Sequence, residues 1–259
     1  SKRPFIWSIE FAEIFFDLEG FDIIIGNPPY VRQENITDPK GLLTTKEYKD
    51  ALLEMVRLDF PEYFALSQTR PDRFGKGRKP SGRSDLYTYF YIRSLRLLNS
   101  GGVHVFICSN SWLDVGYGAW LQEFFLRRAP LHLVIDNHAR RSFTRADINT
   151  IITVAGAPAK VNENQVTRFV AFKQPFEEAV LSENLLAIEE AGAALRDESF
   201  RVLPVTAGEL LREGSDAGQV SSRLKDTGKY KGDKWGGKYL RAPDIFFTIL
   251  EKGKDKLVD

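Results

Sequence analysis

A short β-branched run that leads directly into two consecutive prolines constrains the fold of this 259-residue chain most strongly. The run Phe21–Gly26 (FDIIIG) is predicted to form a buried parallel strand, because β-branched residues favour strands. Asn27–Tyr30 (NPPY) follows directly, and proline cannot continue the hydrogen bonding of a sheet. The strand should therefore carry a polar side chain and a rigid turn at its carboxyl end, where ligands bind in open α/β sheets.

Hydrophobic patterning along the rest of the chain alternates between strands and helices. Apolar runs predict strands at residues 102–108, 131–135, 148–155 and 166–172. Amphipathic stretches predict helices at residues 46–68, 84–99, 112–127, 177–195 and 240–252. Ser84 is the predicted N-cap of the second helix. This alternation is typical of an open α/β sheet, which is the predicted fold class.

Composition narrows the setting in which the chain works. Contents of 43% hydrophobic and 27% charged residues are typical of a globular protein with a sizeable core. No apolar run reaches the ~18 residues that a membrane helix needs, so we expect no membrane partner. The single cysteine, Cys108, excludes a disulfide within the chain, and His104, His132 and His138 lack metal-ligand spacing with acidic partners. We therefore expect a cytoplasmic protein without a metal site.

The residue types after the first strand suit one chemical task. The amino nitrogen of adenine is a poor nucleophile, because its lone pair is delocalised into the ring. Hydrogen bonds accepted from both amino hydrogens favour a localised lone pair, and the Asn27 side-chain oxygen and the Pro28 carbonyl can supply both acceptors. The Tyr30 ring offers a flat face on which an extruded base can stack, worth ~1–3 kcal/mol. Asn27, Pro28 and Tyr30 are therefore the candidate catalytic residues.

An ordinary proline turn at the end of a strand is the alternative interpretation of Asn27–Tyr30. Proline-rich turns are common, so these four residues do not decide the matter by themselves. The apolar run that ends at Gly26 favours the functional interpretation, because it places the turn at the end of a strand.

A basic stretch between the first two predicted helices suggests contact with a phosphate backbone. Six cations crowd it, with Asp72 as the opposing acid: Arg70, Arg73, Lys76, Arg78, Lys79 and Arg83. A second basic cluster lies within residues 223–241. The net charge of +1 does not by itself indicate a nucleic-acid binder, and a solvated surface is the alternative. We interpret the six cations as candidate DNA-binding residues.

Several stretches of the chain resemble, in order, the N6-adenine-specific DNA methyltransferases of Type II restriction-modification systems. The first is Gly20–Glu34, which contains Asn-Pro-Pro-Tyr. Ser84–Phe90, residues 101–113 and residues 141–154 resemble the helix, the strand with its loop, and the last catalytic motif of that family. The resemblance extends to Type IIG and Type IIS enzymes, which fuse methylation to cleavage. It covers about residues 10–157 well and the remainder thinly.

This resemblance implies a fold, a cofactor and further site residues. The implied fold is α/β, a partial Rossmann-like sheet of the S-adenosylmethionine-dependent methyltransferases, with the start of a C-terminal target-recognition region near Lys238–Asp244. Phe143 matches the aromatic that stacks on the flipped adenine opposite Tyr30, and an ordinary core phenylalanine is the alternative. Pro29 and Phe90 match positions that contact the cofactor, S-adenosylmethionine. The implied reaction is direct methyl transfer to adenine N6 in double-stranded DNA.

One part of the family pattern has no match in the sequence. The family binds its cofactor with a Gly-containing loop upstream of Asn-Pro-Pro-Tyr, whereas this sequence begins a short stretch before its motif. We therefore expect residues 1–160 to form the catalytic half of a methyltransferase domain, without the cofactor-binding N-terminal half. Residues 161–259 should form an extension and the start of the target-recognition region. We expect such a fragment to be inactive alone.

Two other functions stay open at this point. Asn-Pro-Pro-Tyr also occurs in methyltransferases that act on glutamine side chains or RNA guanine, and the two basic regions favour DNA over those acceptors. The second is a non-catalytic DNA-binding or assembly module that keeps the fold. Besides DNA, the resemblance implies a fused or associated restriction nuclease as a partner, in a prokaryotic cytoplasm.

Overall fold

A seven-stranded mixed β-sheet organises the part of the chain that the computed structural model describes, residues 5–64, 80–139, 149–215 and 230–253. Its strands are β1 (Phe21–Gly26), β2 (Leu98–Ser109), β3 (Leu131–Asn137), β4 (Thr150–Gly156), β5 (Val166–Phe172), β6 (Leu195–Arg196) and β7 (Phe200–Thr206). They are ordered β1-β2-β4-β3-β5-β7-β6. The pairs β1–β2 and β3–β5 are parallel, whereas β4 and β7 run antiparallel to both of their neighbours.

Helices alternate with these strands along the chain, which confirms the predicted α/β class. They are α1 (Trp7–Glu10), α2 (Ala12–Asp17), α3 (Thr45–Asp59), α4 (Pro61–Phe64), α5 (Leu86–Leu95), α6 (Ala119–Arg128), α7 (Phe176–Ala179), α8 (Ser182–Glu190), α9 (Ala207–Glu213) and α10 (Asp244–Gly253). Short 3-10 turns lie at Gln33–Asn35, Ser111–Leu113 and Gly116–Gly118, and a π-helical turn lies at Gly236–Arg241.

Local sequence signals explain where α3 begins and ends. The Thr44 hydroxyl accepts a hydrogen bond from the Glu47 backbone N–H, and the Glu47 carboxylate accepts one from the Thr44 N–H at 2.8 Å. This capping box satisfies donors that the first turn leaves free. Pro61 lacks an N–H and starts the separate helix α4. The helix predicted at 46–68 is thus two helices within 45–64, and residues 65–68 lie outside the described part.

Four other predicted helices need correction. The helix predicted at 84–99 ends at Leu95, because the chain enters β2 at Leu98. The one predicted at 112–127 consists of two 3-10 turns followed by α6, and the one predicted at 177–195 divides into α7 and α8. The C-terminal helix starts at Asp244 rather than at residue 240. Strand β7 and helix α9 were not predicted.

Strand β1 forms one edge of the described sheet, where it pairs with β2 alone. The prediction that this strand is buried is wrong for one of its faces, on which Ile23 is 63% exposed and Ile25 76% exposed. Ile24, which points to the other face, packs against the core. Within the described residues, β1 thus presents apolar side chains to solvent directly before the Asn27–Tyr30 segment.

Aromatic side chains build the core around β2, α5 and α6. Tyr91, Trp112 and Phe125 are fully buried, and the rings of Tyr91 and Phe125 meet edge to face with centroids 5.5 Å apart. The Tyr91 hydroxyl lies 2.9 Å from the Cys108 thiol and 2.8 Å from the Thr153 hydroxyl, so this buried polar atom is satisfied. Burial raises the pKa of Cys108 to about 12, and the thiol stays neutral.

The sheet continues beyond residue 160 through β5, β7 and β6. Arg201 on β7 is 4% exposed and fastens the segment before α10 to the sheet. Its guanidinium donates to the carbonyls of Leu240 (2.6 Å) and Ala242 (2.8 Å) and to the Asp244 carboxylate (2.6 Å). The ring of Phe247 lies below it, with its centroid 5.0 Å away. One buried cation thus holds the C-terminal elements in place.

Candidate active site

The Asn27–Tyr30 segment lies immediately after β1. Because β1 and β2 are parallel, the carboxyl end of β2 lies at the same end of the sheet. Parallel pairing aligns Gly26 with Phe106, so β2 runs only a few residues further before it ends at Ser109. A Cβ added to Gly26 would lie 2.6 Å from Cε1 of the Phe106 ring. Glycine therefore allows the end of β1 to lie close to this buried ring, directly before Asn27.

Asn27 and Tyr30 contact each other across the turn. The Tyr30 hydroxyl donates a 2.6 Å hydrogen bond to Oδ1 of Asn27 and lies 3.1 Å from the carbonyl oxygen of Ile107 on β2. Asn27 is exposed and Tyr30 is half-buried. Burial raises the pKa of Tyr30 to about 12, with the neighbouring Cys108 as a smaller cause, so its hydroxyl is protonated at neutral pH.

The two prolines between these residues differ in burial. Pro28 is buried and Pro29 is exposed. The Pro28 carbonyl accepts no hydrogen bond from the described part of the chain. Because neither proline has an N–H, the turn presents acceptors without competing backbone donors at these two positions.

Asp85 joins the segment that follows the motif to a loop that follows β2. Its Oδ1 accepts from the Gln33 backbone N–H at 2.9 Å, and its Oδ2 accepts from the Tyr117 hydroxyl at 2.6 Å. Next to it, the Leu86 N–H donates to the Val31 carbonyl at 2.9 Å. Asp85 thus fixes the chain directly after Tyr30 against helix α5.

Sequence reasoning missed this role of Asp85 and placed Ser84 as the helix cap, which is wrong. Asp85 occupies the N-cap position and makes no side-chain cap bond, while the Ser84 hydroxyl accepts a 2.8 Å hydrogen bond from Nε1 of Trp120. The polar pair before an apolar helix was the available signal. This pair correctly predicted the start of a helix. The contacts that Ser84 and Asp85 make with residues remote in sequence could not be predicted from the local pattern.

The end of β2 is held by short hydrogen bonds. The hydroxyls of Ser109 and Ser111 lie 2.9 Å apart, and the Asn110 N–H donates to the Asn149 carbonyl at 3.0 Å. The second bond ties the end of β2 to the residue before β4. The end of β2 and the start of β4 are therefore fixed to each other.

The structure describes some of the other predicted site residues and not the rest. Phe90 lies on α5 with 43% of its surface exposed, and Arg83 is exposed just before that helix. Phe143 lies outside the described residues, as do five of the six candidate DNA-binding cations: Arg70, Arg73, Lys76, Arg78 and Lys79. The structure therefore brings Asn27, Pro28, Pro29 and Tyr30 together at one edge, and the positions of Phe143 and these five cations stay predictions.

This arrangement can accept hydrogen bonds from a planar amine and present a ring to its base. A carboxamide oxygen has two lone pairs, so Asn27 keeps one acceptor site beside the Tyr30 bond. The adjacent Pro28 carbonyl offers a second acceptor. Among the described residues, no three His, Cys, Asp or Glu side chains form a group that could bind a metal ion. Likewise, no described helix has the length and apolar character to span a bilayer.

An α/β sheet with Asn-Pro-Pro-Tyr at a strand's carboxyl end defines a class of methyltransferase-like proteins, and comparison with known proteins specifies the family. The family model of the Eco57I restriction-modification methylases matches residues 1–143, more than half of the chain. The chain belongs to this family.

Individual relatives of the chain are named as Type II methyltransferases. The chain is 35% identical to the Type II methyltransferase M.PaeR7I of Pseudomonas aeruginosa over 120 residues, which are 46% of this chain and 16% of that protein. It is 32% identical to the Type II methyltransferase M.XhoI of Xanthomonas vasicola over 155 residues, 59% of this chain and 23% of that one. The chain thus spans less than a quarter of the length of either relative.

A solved structure shares the fold. The crystal structure of the type IIG restriction endonuclease BpuSI superposes with a TM-score of 0.50 at 12% sequence identity. The match covers 90% of this chain and 27% of that one. At this identity the likeness supports the α/β arrangement, including the part beyond residue 160, and not a shared activity.

Proposed function

We propose that this chain carries the acceptor side of a methyltransferase that moves a methyl group from S-adenosylmethionine to adenine N6 in double-stranded DNA. The observation that carries the proposal is the exposed Asn27 carboxamide at the carboxyl end of β1, beside a Pro28 carbonyl that accepts no hydrogen bond from the described residues. Family membership and the names of the relatives support a role in restriction-modification.

The chain's own residues would act on the amine. Oδ1 of Asn27 and the carbonyl of Pro28 accept its two hydrogens, which disfavours delocalisation of the nitrogen lone pair into the ring. The base has to leave the duplex to reach this edge, and the Tyr30 ring offers it a stacking face. Phe143 is proposed to cover the opposite face of the base. Since two acceptors polarise the amine directly, no covalent enzyme intermediate is required.

S-adenosylmethionine would supply an electrophilic methyl group on a sulfonium leaving group. The chain's residues fit such a ligand in two respects: Pro29 and Phe90 both have exposed surface, and β1 exposes Ile23 and Ile25 next to the motif. Apolar and aromatic surfaces of this kind suit an adenosyl group. We assign Pro29 and Phe90 to cofactor contact and propose that further parts of the pocket come from other segments of the complete gene product.

DNA would be held by the basic residues outside the motif. Arg83 is exposed before α5, and we propose that it acts with Arg70, Arg73, Lys76, Arg78 and Lys79 on the phosphate backbone. Residues 161–259 are proposed to form an extension and the start of the target-recognition region, with a fused or associated nuclease as a further partner.

The test uses the complete gene product with labelled S-adenosylmethionine and unmethylated DNA, followed by digestion to nucleosides. We expect labelled N6-methyladenosine, and its loss in Asn27→Ala. Label in a protein or an RNA acceptor instead would move the function to another methyl acceptor. DNA binding that is equal in both proteins, with no label in any acceptor, would indicate a binding or assembly module.

A further inference from the structure

The Tyr30 hydroxyl reaches the atom of Asn27 that the proposed function needs as an acceptor. It donates at 2.6 Å to Oδ1, and this contact crosses the turn made by the two prolines. We infer that Tyr30 has a second role as a positioning residue: its hydroxyl holds the Asn27 carboxamide in the orientation that receives the target amine. This inference rests on the proposed function and concerns the same site.

Asn27 needs a hydrogen bond that fixes its orientation, because it is exposed and directly follows the strand at the edge of the described sheet. An exposed asparagine side chain samples several rotamers, and its amide group can turn end over end. A hydroxyl donor at 2.6 Å selects the oxygen end and restricts the rotation. One lone pair of Oδ1 bonds to Tyr30 and the other remains for the substrate, so the hold and the catalytic contact are compatible.

Ile107 gives the hydroxyl a second acceptor. Its carbonyl oxygen lies 3.1 Å from the Tyr30 hydroxyl, and a hydroxyl has one proton to donate. The shorter contact favours Asn27 as the acceptor. The longer contact to Ile107 keeps the half-buried hydroxyl beside β2, so the hydroxyl can go on donating to Asn27 when a base stacks on the ring. The carbonyl on β2 thus keeps Tyr30 within reach of Asn27.

Tyr30→Phe separates this role from stacking, because phenylalanine keeps the ring and removes the hydroxyl. The wild-type complete gene product and its Tyr30→Phe variant are compared in single-turnover methylation of an unmethylated duplex that contains the target adenine. We expect the rate to fall about 3- to 10-fold, which corresponds to the loss of one neutral hydrogen bond. A duplex with 2-aminopurine at the target position should give equal fluorescence and equal affinity with both proteins, because stacking is unchanged.

Tyr48→Phe is the matched control. Tyr48 packs on α3 against the core, and its hydroxyl makes no hydrogen bond within the described residues, so this variant should methylate at the wild-type rate. A Tyr30→Phe rate equal to wild type would overturn the inference. A slower rate with weaker 2-aminopurine capture would also overturn it, since the hydroxyl would then serve base binding.

A readout without methylation separates this inference from the proposed function. The order parameter of the Asn27 side-chain amide, measured by NMR on ¹⁵N-labelled protein, should drop in Tyr30→Phe and stay constant in Tyr48→Phe. An unchanged order parameter would contradict the inference that Tyr30 orients Asn27, whichever molecule accepts the methyl group. Absence of N6-methyladenosine from the wild-type reaction would instead contradict the proposed function alone.

Discussion

The Tyr117 hydroxyl donates a 2.6 Å hydrogen bond to the Asp85 carboxylate, whose other oxygen accepts from the Gln33 N–H at 2.9 Å. One carboxylate thus joins the loop after β2 to the segment after Tyr30. The hydroxyl of Tyr87 lies 3.2 Å from that of Tyr117 and extends the network into α5. The position of the motif therefore depends on a side chain that is remote from it in sequence.

Asp85→Ala should lower activity more than Tyr117→Phe does. The alanine leaves both the Gln33 N–H and the Tyr117 hydroxyl without their acceptor, at a cost of about 1–3 kcal/mol in unfolding free energy. Tyr117→Phe removes one of the two bonds and should cost about 0.5–1.5 kcal/mol. Urea denaturation and methylation rates, measured on both variants, test this order. Equal effects would show that the bond to Gln33 contributes nothing.

Stability should fall with acidity through His104. This ring is buried on β2, its Nε2 lies 2.7 Å from the Ser94 hydroxyl, and burial lowers its pKa to about 3. The folded pKa lies below the unfolded value of about 6.5, so the unfolded state takes up a proton that the folded state refuses. Stability due to this group is present above pH ~6.5 and declines as the pH falls towards ~3.

His104→Phe isolates that contribution. Between pH 7.5 and pH 5.5, the unfolding free energy of the wild type should drop by about 1.4 kcal/mol more than that of the variant. His132 and His138, whose pKa values are also lowered by burial, are present in both proteins and cancel in the difference. Parallel pH profiles would mean that the pKa of His104 in the folded protein equals its value in the unfolded chain.

The start of the site could be predicted from sequence because its signals are local. The strand Phe21–Gly26 has the predicted bounds, and Asn27–Tyr30 directly continues it. The exposure of Ile23 and Ile25 could not be predicted, because an apolar run does not reveal whether another element packs on each face of the strand. The contact between Asp85 and Tyr117 joins residues 32 positions apart, and no pattern specifies it.

In the region after β5, the sequence-based predictions failed for a different reason. Strand β7 contains Pro204, which weakens a strand prediction, although the strand pairs fully with β5. Helix α9 had a readable signal that was overlooked: Thr206 and Glu209 form a capping box, in which the Glu209 N–H donates to the Thr206 hydroxyl at 3.2 Å. The sequence spacing Thr-x-x-Glu was sufficient to predict that start.

Arg201→Met should release the C-terminal segment from the sheet. The substitution keeps much of the apolar stem but leaves the carbonyls of Leu240 and Ala242 without their donor. We expect a loss of about 2–4 kcal/mol in unfolding free energy. Faster hydrogen exchange in residues 240–253 should accompany it. Lys173→Met is the control, because Lys173 makes two exposed contacts, an ion pair with the same Asp244 (3.4 Å) and a hydrogen bond to the Asp197 carbonyl (2.9 Å), and its loss should cost under about 1 kcal/mol.

Gly26→Ala should displace the Asn27–Tyr30 segment. The new methyl group would lie 2.6 Å from Cε1 of Phe106, so either the ring or the end of β1 has to move. Overpacking of this kind costs about 1–3 kcal/mol, and the displaced strand carries the candidate catalytic residue with it. We therefore expect lower stability and a methylation rate that falls further than the stability loss explains.

Phe106→Leu in the same chain tests the cause. The smaller side chain vacates the space that the methyl group needs, while Phe106→Leu alone leaves a partial cavity and costs about 1–2 kcal/mol. The double variant should therefore be more stable than the sum of the single effects predicts, by about 0.5–3 kcal/mol, and should regain methylation. Simple additivity would show that the two side chains do not collide, and that the space beside Phe106 is not the reason for glycine at position 26.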